Sequence, residues 1–233
     1  PMKPYSNSLT KLPVKMKKYY VTKIKGISEN VDFFYTLNNR FDMDSNTGVK
    51  LNKISVKSKI GNKLIQELSL NQSYVQLSNS LADNSTSTYE KKRLYLNGIT
   101  SLTKNLDYQF NYNNPGYFPP RNSIKQDIYG YFGNLNASEY PFPKLYICPD
   151  LPVGEKYRYS KPKSNFTCYT MSGDNREPNA SLLNNGLLNK ITFPTKGTVE
   201  IVYEPNTYYD AYAENENTLG PGVRVQKLDF KDS

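Results

Sequence analysis

The chain has 233 residues, a formal net charge of +9 from 30 Lys and Arg against 21 Asp and Glu, and no His. That length suits one large β domain or two small ones. The missing His removes Ser-His-Asp triads, Cys–His pairs, His-bearing zinc sites and the usual general base near neutral pH. Only carboxylates, Tyr, Lys or Cys remain for chemistry, so the chain reads as non-enzymatic, with no cofactor and no metal. The 21 Tyr and 10 Phe suit pleated, half-exposed strands.

Residues 1–18 are polar and basic, broken by Pro4 and Pro13, and read as a linker or extended arm. Residues 19–112 read as successive β-hairpins. A strand at 19–24 (YYVTKI) turns at 26–30 into 31–37, where Val31, Phe33, Tyr35 and Leu37 alternate. The loop 38–48 carries Asp42, Asp44 and Asn46 in the opening pattern of a calcium loop. Gly48 then falls one residue late and Lys53 stands where a bidentate Glu is needed, which leaves a turn rich in Asp and Asn.

The strand 49–57 slips parity between Leu51 and Ile54, which predicts a bulge near Asn52 and Lys53. Gly61 and Asn62 turn it into 63–75, with Leu64, Leu68, Leu70 and Tyr74 on one face; residues 78–90 read as a mobile loop. The strands 93–102 and 106–112 form a hairpin if a three-residue turn at 103–105 closes it. Leu94, Leu96 and Leu102 then face with Leu106, Tyr108, Phe110 and Tyr112.

Residues 113–186 are irregular and rich in Tyr and Pro, with short helical turns expected around 123–131 and 179–183. Cys148 and Cys168 lie here, 20 residues apart. They are either two free buried thiols or a disulfide, worth about 3 kcal/mol by loop entropy and implying an oxidising compartment. Asp127, Glu139, Asp150, Asp174 and Glu177 include no pair whose spacing selects it for glycoside hydrolysis. The tyrosines at 108–117, 129–140 and 157–159 either form an aromatic platform for glycan or a partner, or fill corners where a hydroxyl reaches a carbonyl. Five N-x-S/T sequons, at Asn71, Asn84, Asn136, Asn165 and Asn179, are no more than this Asn-rich composition produces by chance.

Residues 187–233 hold the clearest hairpin. Ile191 and Phe193 share a face, as do Val199, Ile201 and Tyr203, around a turn that Pro194 enters and Gly197 closes with positive φ. Residues 223–230 (VRVQKLDF), bounded by Val223 and Phe230, read as a further strand whose partner lies beyond Ser233. Lysines are spread along strands, apart from Lys15, Lys17 and Lys18. The excess charge therefore reads as a solvated surface, with no nucleic-acid site.

Five strings occur in a telling order: RLYLNGITSL (93–102), DYQFNYNN (107–114), PPRNSIKQDIYGYFGN (119–134), DNREPNASLLNNGLLNKITFPTKGTVEIVYEPN (174–206) and GPGVRVQKLDF (220–230). This order resembles large secreted proteins of Bacteroidota that are distant relatives of the YD-repeat (RHS-like) family. Their corresponding pieces include a QD…GY segment, an NR-x-P turn and a KITYPTGG hairpin. Ile128 and Tyr129 stand where His and Trp are common, Pro221 interrupts a double glycine, and Tyr203 and Glu204 replace Tyr-Asp.

The resemblance implies an extracellular or outer-membrane-associated antiparallel β protein, part of a longer polypeptide, and supplies no catalytic residue. The expectation is an all-β antiparallel meander of hairpins with a long insertion packed on one face or edge. Its role would be a structural scaffold or protein-binding module, whose edge at Val223 and Phe230 pairs with the remainder of a longer polypeptide or with another subunit. The alternative is a carbohydrate-binding module using tyrosines of the insertion. Asp127, Tyr129, Tyr131 and Arg176 are the candidate ligand or partner surface.

Overall fold

A computed structural model describes residues 18–44, 48–77, 87–121, 123–133, 143–154, 157–158, 165–211 and 215–232. Nine strands form one antiparallel meander: β1 (Lys23–Lys25), β2 (Glu29–Leu37), β3 (Val49–Ser58), β4 (Leu64–Gln76), β5 (Lys92–Ser101), β6 (Leu106–Tyr112), β10 (Leu188–Thr192), β11 (Thr198–Asp210) and β12 (Asn215–Lys231). Between β6 and β10 the insertion carries a second sheet, ordered β8-β7-β9, from β7 (Leu145–Ile147), β8 (Tyr157–Arg158) and β9 (Tyr169–Met171). The fold is all-β and the large sheet does not close into a barrel.

The parity slip in β3 has the predicted cause. Phe34 pairs with Lys53 and Tyr35 with Leu51, so Asn52 is the extra residue of a bulge. Two turns differ from expectation. Ser101 pairs with Leu106, so the β5–β6 loop has four residues, 102–105, with Asn105 in the left-handed region at φ 48°. Ile99 therefore stands opposite Tyr108, and Leu102 is a solvent-exposed turn residue instead of a core position. In the β10–β11 turn the positive φ falls on Lys196 (72°), not on Gly197. Gly197 supplies space instead: a Cβ there would sit 3.2 Å from the carbonyl oxygen of Lys231.

The hairpin pattern around that turn holds, with Ile191 opposite Val199 and Lys190 opposite Glu200. The strand read at 223–230 is the second half of β12. Its partner is β11, through Val199–Phe230, Ile201–Leu228 and Tyr203–Val225, and not a segment beyond Ser233. Its other side carries no strand among the described residues.

Interior packing is thin. Val199 is the only buried hydrophobic residue on a strand of the large sheet among those described. Among the described residues, Phe132 and Leu182, with Tyr117 and Phe118 against them, form the one cluster of buried apolar residues, and it lies in the insertion. The insertion is not strandless, as its composition suggested. It also reaches the surface of the sheet, where the Tyr131 ring lies 3.2 Å from the position of a Cβ on Gly222. Its contacts fall on Asp42 after β2, on Arg93 and Tyr95 at the start of β5, on Asp210 at the end of β11, and on Gly222 in the first half of β12. In an antiparallel meander all of these lie towards one end of the strands. The insertion caps that end.

The expected helical turns also resolve. Residues 179–187 form stacked turns with i to i+3 bonds, Leu182 N to Asn179 O and Asn185 N to Leu182 O. Around 123–131 no helix forms, because Gln126 bridges Phe132 and the Asp127 carboxylate takes amides that a helix would bond within itself.

Candidate functional site

The four residues read as a ligand or partner surface come together at one loop. Asp127 is 2% exposed, and its Oδ1 accepts from the backbone N–H groups of Tyr129 and Tyr131, each at 2.9 Å. Its own N–H donates to Tyr131 O and its carbonyl accepts from Gly130 N. Gly130 takes φ 88°, a conformation that disfavours any residue with a Cβ. The loop is thus folded around one carboxylate and presents Tyr129 and Tyr131 at 38% and 48% exposure. Arg176 joins through its backbone, its carbonyl accepting from Ile128 N at 2.8 Å.

Burial pushes the Asp127 pKa up, opposed by the backbone N–H groups around it. Oδ2 of Asp127 is buried without a hydrogen-bond partner. The Tyr131 ring lies against β12, 3.2 Å from where a Cβ on Gly222 would sit. Asp127 therefore shapes the loop, and the Tyr131 ring docks it against β12. Beside the loop, Ile128, Lys144, Tyr146, Arg176 and Glu177 line a cavity of about 220 Å³.

Two electrostatic clamps hold the cap to the sheet, and residue patterns pointed to neither. Asp42 is 1% exposed; Arg40 grips it through Nε and Nη2 at 2.7 and 2.8 Å, and Arg121 Nη2 donates to Oδ2 at 2.9 Å. Burial raises the Asp42 pKa, but the Arg40 hydrogen bond and charge, its own backbone N–H and Arg121 outweigh that and hold it below the ordinary value. The sequence presents Asp42 as a turn residue, and its partner Arg121 lies 79 positions away. The second clamp joins β8 to the end of β11: Arg158 Nη2 lies 2.5 Å from both carboxylate oxygens of Asp210, and both side chains are nearly buried.

Cys148 and Cys168 form a disulfide. They continue the β7–β9 register, which pairs Ile147 with Tyr169, so they stand opposite each other. Tyr112 and Tyr95 follow the corner-filling reading, donating to Leu96 O and Pro115 O. Glu139, Tyr140, Tyr159, Asn84 and Asn136, like Asn46, Lys15 and Lys17, lie outside the described residues. No group of three or more acidic or Cys side chains suited to a metal ion occurs among the described residues. Compared with protein-family models, curated proteins and solved structures, the chain matches none.

Proposed function

We propose that this chain is a non-enzymatic scaffold or protein-binding module of a secreted or cell-surface protein or assembly, extended at β12 by a strand from outside the described structure. The strand comes from the remainder of a longer polypeptide or from another subunit. The observation that carries this reading is the character of β12: 17 residues at the sheet edge, with Val225, Leu228 and Phe230 at 51%, 48% and 75% exposure. Their registered partners Tyr203, Ile201 and Val199 put all six on one face. The opposite face carries Arg224, Lys227, Asp229 and Lys231, so the edge is apolar on one face and charged on the other, and an open edge of this kind pairs with a specific strand that covers the apolar face. A strand adding here gains main-chain hydrogen bonds and buries alternate side chains.

The Cys148–Cys168 disulfide is consistent with an oxidising, extracellular setting. The likeness to secreted Bacteroidota relatives of the YD-repeat family supports the same assignment, and the absence of His supports a role without catalysis. Light scattering across a concentration series tests the edge. The isolated chain is expected to self-associate, and replacing Leu228 and Phe230 together by Lys should make it monodisperse. A wild-type chain that stays monodisperse throughout and melts cooperatively would sink the proposal.

A further inference from the structure

A second cavity, of about 510 Å³, lies where β4, the turn after β6 and the stacked turns before β10 meet. Its volume falls within the range of about 300–1,000 Å³ usual for small-molecule sites. Gln76, Asn114, Tyr117, Ser181 and Asn185 supply its side-chain chemistry, and Pro115 and Gly116 its backbone wall. Among the described residues, no Lys, Arg, Asp or Glu lines it. The site is a wide, open cleft, and a charged ligand would find no countercharge among these residues, so the lining favours a neutral one.

The polar groups are preset by local structure. Tyr117 N donates to Asn114 O, closing the turn after β6, and Asn114 takes φ 38° there. Asn114 Nδ2 donates to Asn185 Oδ1 at 3.1 Å. Asn185 is 6% exposed, and its Nδ2 is buried with no acceptor. The Asn114–Asn185 pair thus forms a fixed carboxamide floor. Ser181 Oγ donates to Asn179 Oδ1 at 2.7 Å, so its oxygen keeps its capacity to accept.

From this we infer that the cavity between Gln76, Tyr117 and Asn185 binds a neutral saccharide. Sugar hydroxyls both donate and accept, and so can meet carboxamides that do the same. Tyr117 offers aromatic surface to the apolar face of a sugar ring. A peptide is the weaker fit, since apolar side chains would find little beyond Tyr117 and Pro115. The site is separate from the β12 edge and from Tyr129 and Tyr131, so it stands or falls independently of the scaffold reading.

The test is titration calorimetry with cellotetraose, maltotetraose, xylotetraose and mannotetraose, together with an array of neutral and acidic glycans. At least one neutral saccharide should bind saturably. Gln76→Ala combined with Ser181→Ala, both at exposed positions, should weaken it about tenfold with an unchanged melting temperature. Asn185→Ala should weaken it as well, and the Leu228 and Phe230 charge variant should leave it intact. Absence of neutral-saccharide binding, a preference for acidic glycans or peptides, or undiminished binding by the Gln76 and Ser181 double variant would each overturn the inference.

Discussion

Asp42 and Asp127 are both buried carboxylates, and their surroundings drive them in opposite directions. Asp42 has two guanidinium partners, whereas Asp127 has only backbone N–H groups and an orphaned Oδ2. The ordinary Asp pKa is about 3.9. Asp42 falls below it when folded, so its stabilisation is present above that value and lost as pH falls through the folded pKa. Asp127 rises above it, so its contribution is full below that value and lost as pH climbs through the folded pKa. Urea unfolding from about pH 7 down to about pH 3 should therefore separate two variants. The advantage of wild type over Asp42→Asn, about 1.5–3 kcal/mol at neutral pH for hydrogen bonds to a charged group, should shrink on acidification. The difference between wild type and Asp127→Asn should move in the wild type's favour. Parallel pH profiles for the two variants would refute both assignments. Neither role was legible in the sequence, because Asp42 meets Arg121 only after the cap folds back, and a turn Asp looks the same whether it faces water or cations.

At Lys196 the geometry asks for glycine and the sequence places Lys. The residue is exposed, with φ 72°, and the following Gly197 is needed for the approach of Lys231. A left-handed backbone costs an L-residue about 1–2 kcal/mol, and the added chain entropy of glycine offsets part of the relief. Lys196→Gly is expected to stabilise the β10–β11 hairpin by about 0.5–1 kcal/mol, read as a higher denaturation midpoint. A lower midpoint would show that the Lys side chain contributes more than its backbone costs.

Among the elements, hairpins were readable because period-two alternation survives wherever strands are straight, and the Asn52 bulge because it breaks that alternation once. Turn lengths were not readable, since three- and four-residue loops around 102–105 have the same composition. The small sheet was hidden for another reason. Strands of two or three residues such as β8 and β7 are too short to show a period. They are held by the Cys148–Cys168 bridge and by the Arg158–Asp210 clamp. Reduction of that bridge should therefore act locally. Amides of β7 and β9 should lose exchange protection, corresponding to about 3 kcal/mol of loop entropy, while β3 to β6 keep theirs. Global unfolding on reduction would mean that the cap nucleates the large sheet.

Among the described residues, the nine-stranded sheet is one open layer, and the cluster of buried apolar residues sits in a cap at one end. Fixed charges add little to the layer. Pairs such as Lys53–Glu67 and Lys231–Glu200 are cross-strand and solvent-screened, and they also account for several of the scattered lysines. Stability then depends mainly on each strand's two neighbours, as in proteins built by stacking units in one dimension. Such a sheet should open from its ends and not all at once. The β1 end has the weakest hold: three residues, with Ile24 and Ile27 at 51% and 97% exposure, far from the cap contacts. The segments from β4 to β11 combine two neighbouring strands with ties to the cap through Arg93, Tyr95 and Asp210. Hydrogen exchange in rising denaturant should release β1 and then the first half of β2 first, at free energies well below that of global unfolding, because the end of β2 runs into the Asp42 clamp. β5, β6 and β11 should exchange last. β12 falls between, because its first half is held at Gly222 by Tyr131 while its second half, from Val225 to Phe230, has only β11 beside it. Adding a strand to that edge should move the second half of β12 into the slowest class and leave β1 unchanged. Release of all nine strands in a single step would instead mean that the Asp42–Arg121 clamp couples the β1 to β3 side to the cap as strongly as the strands couple to each other.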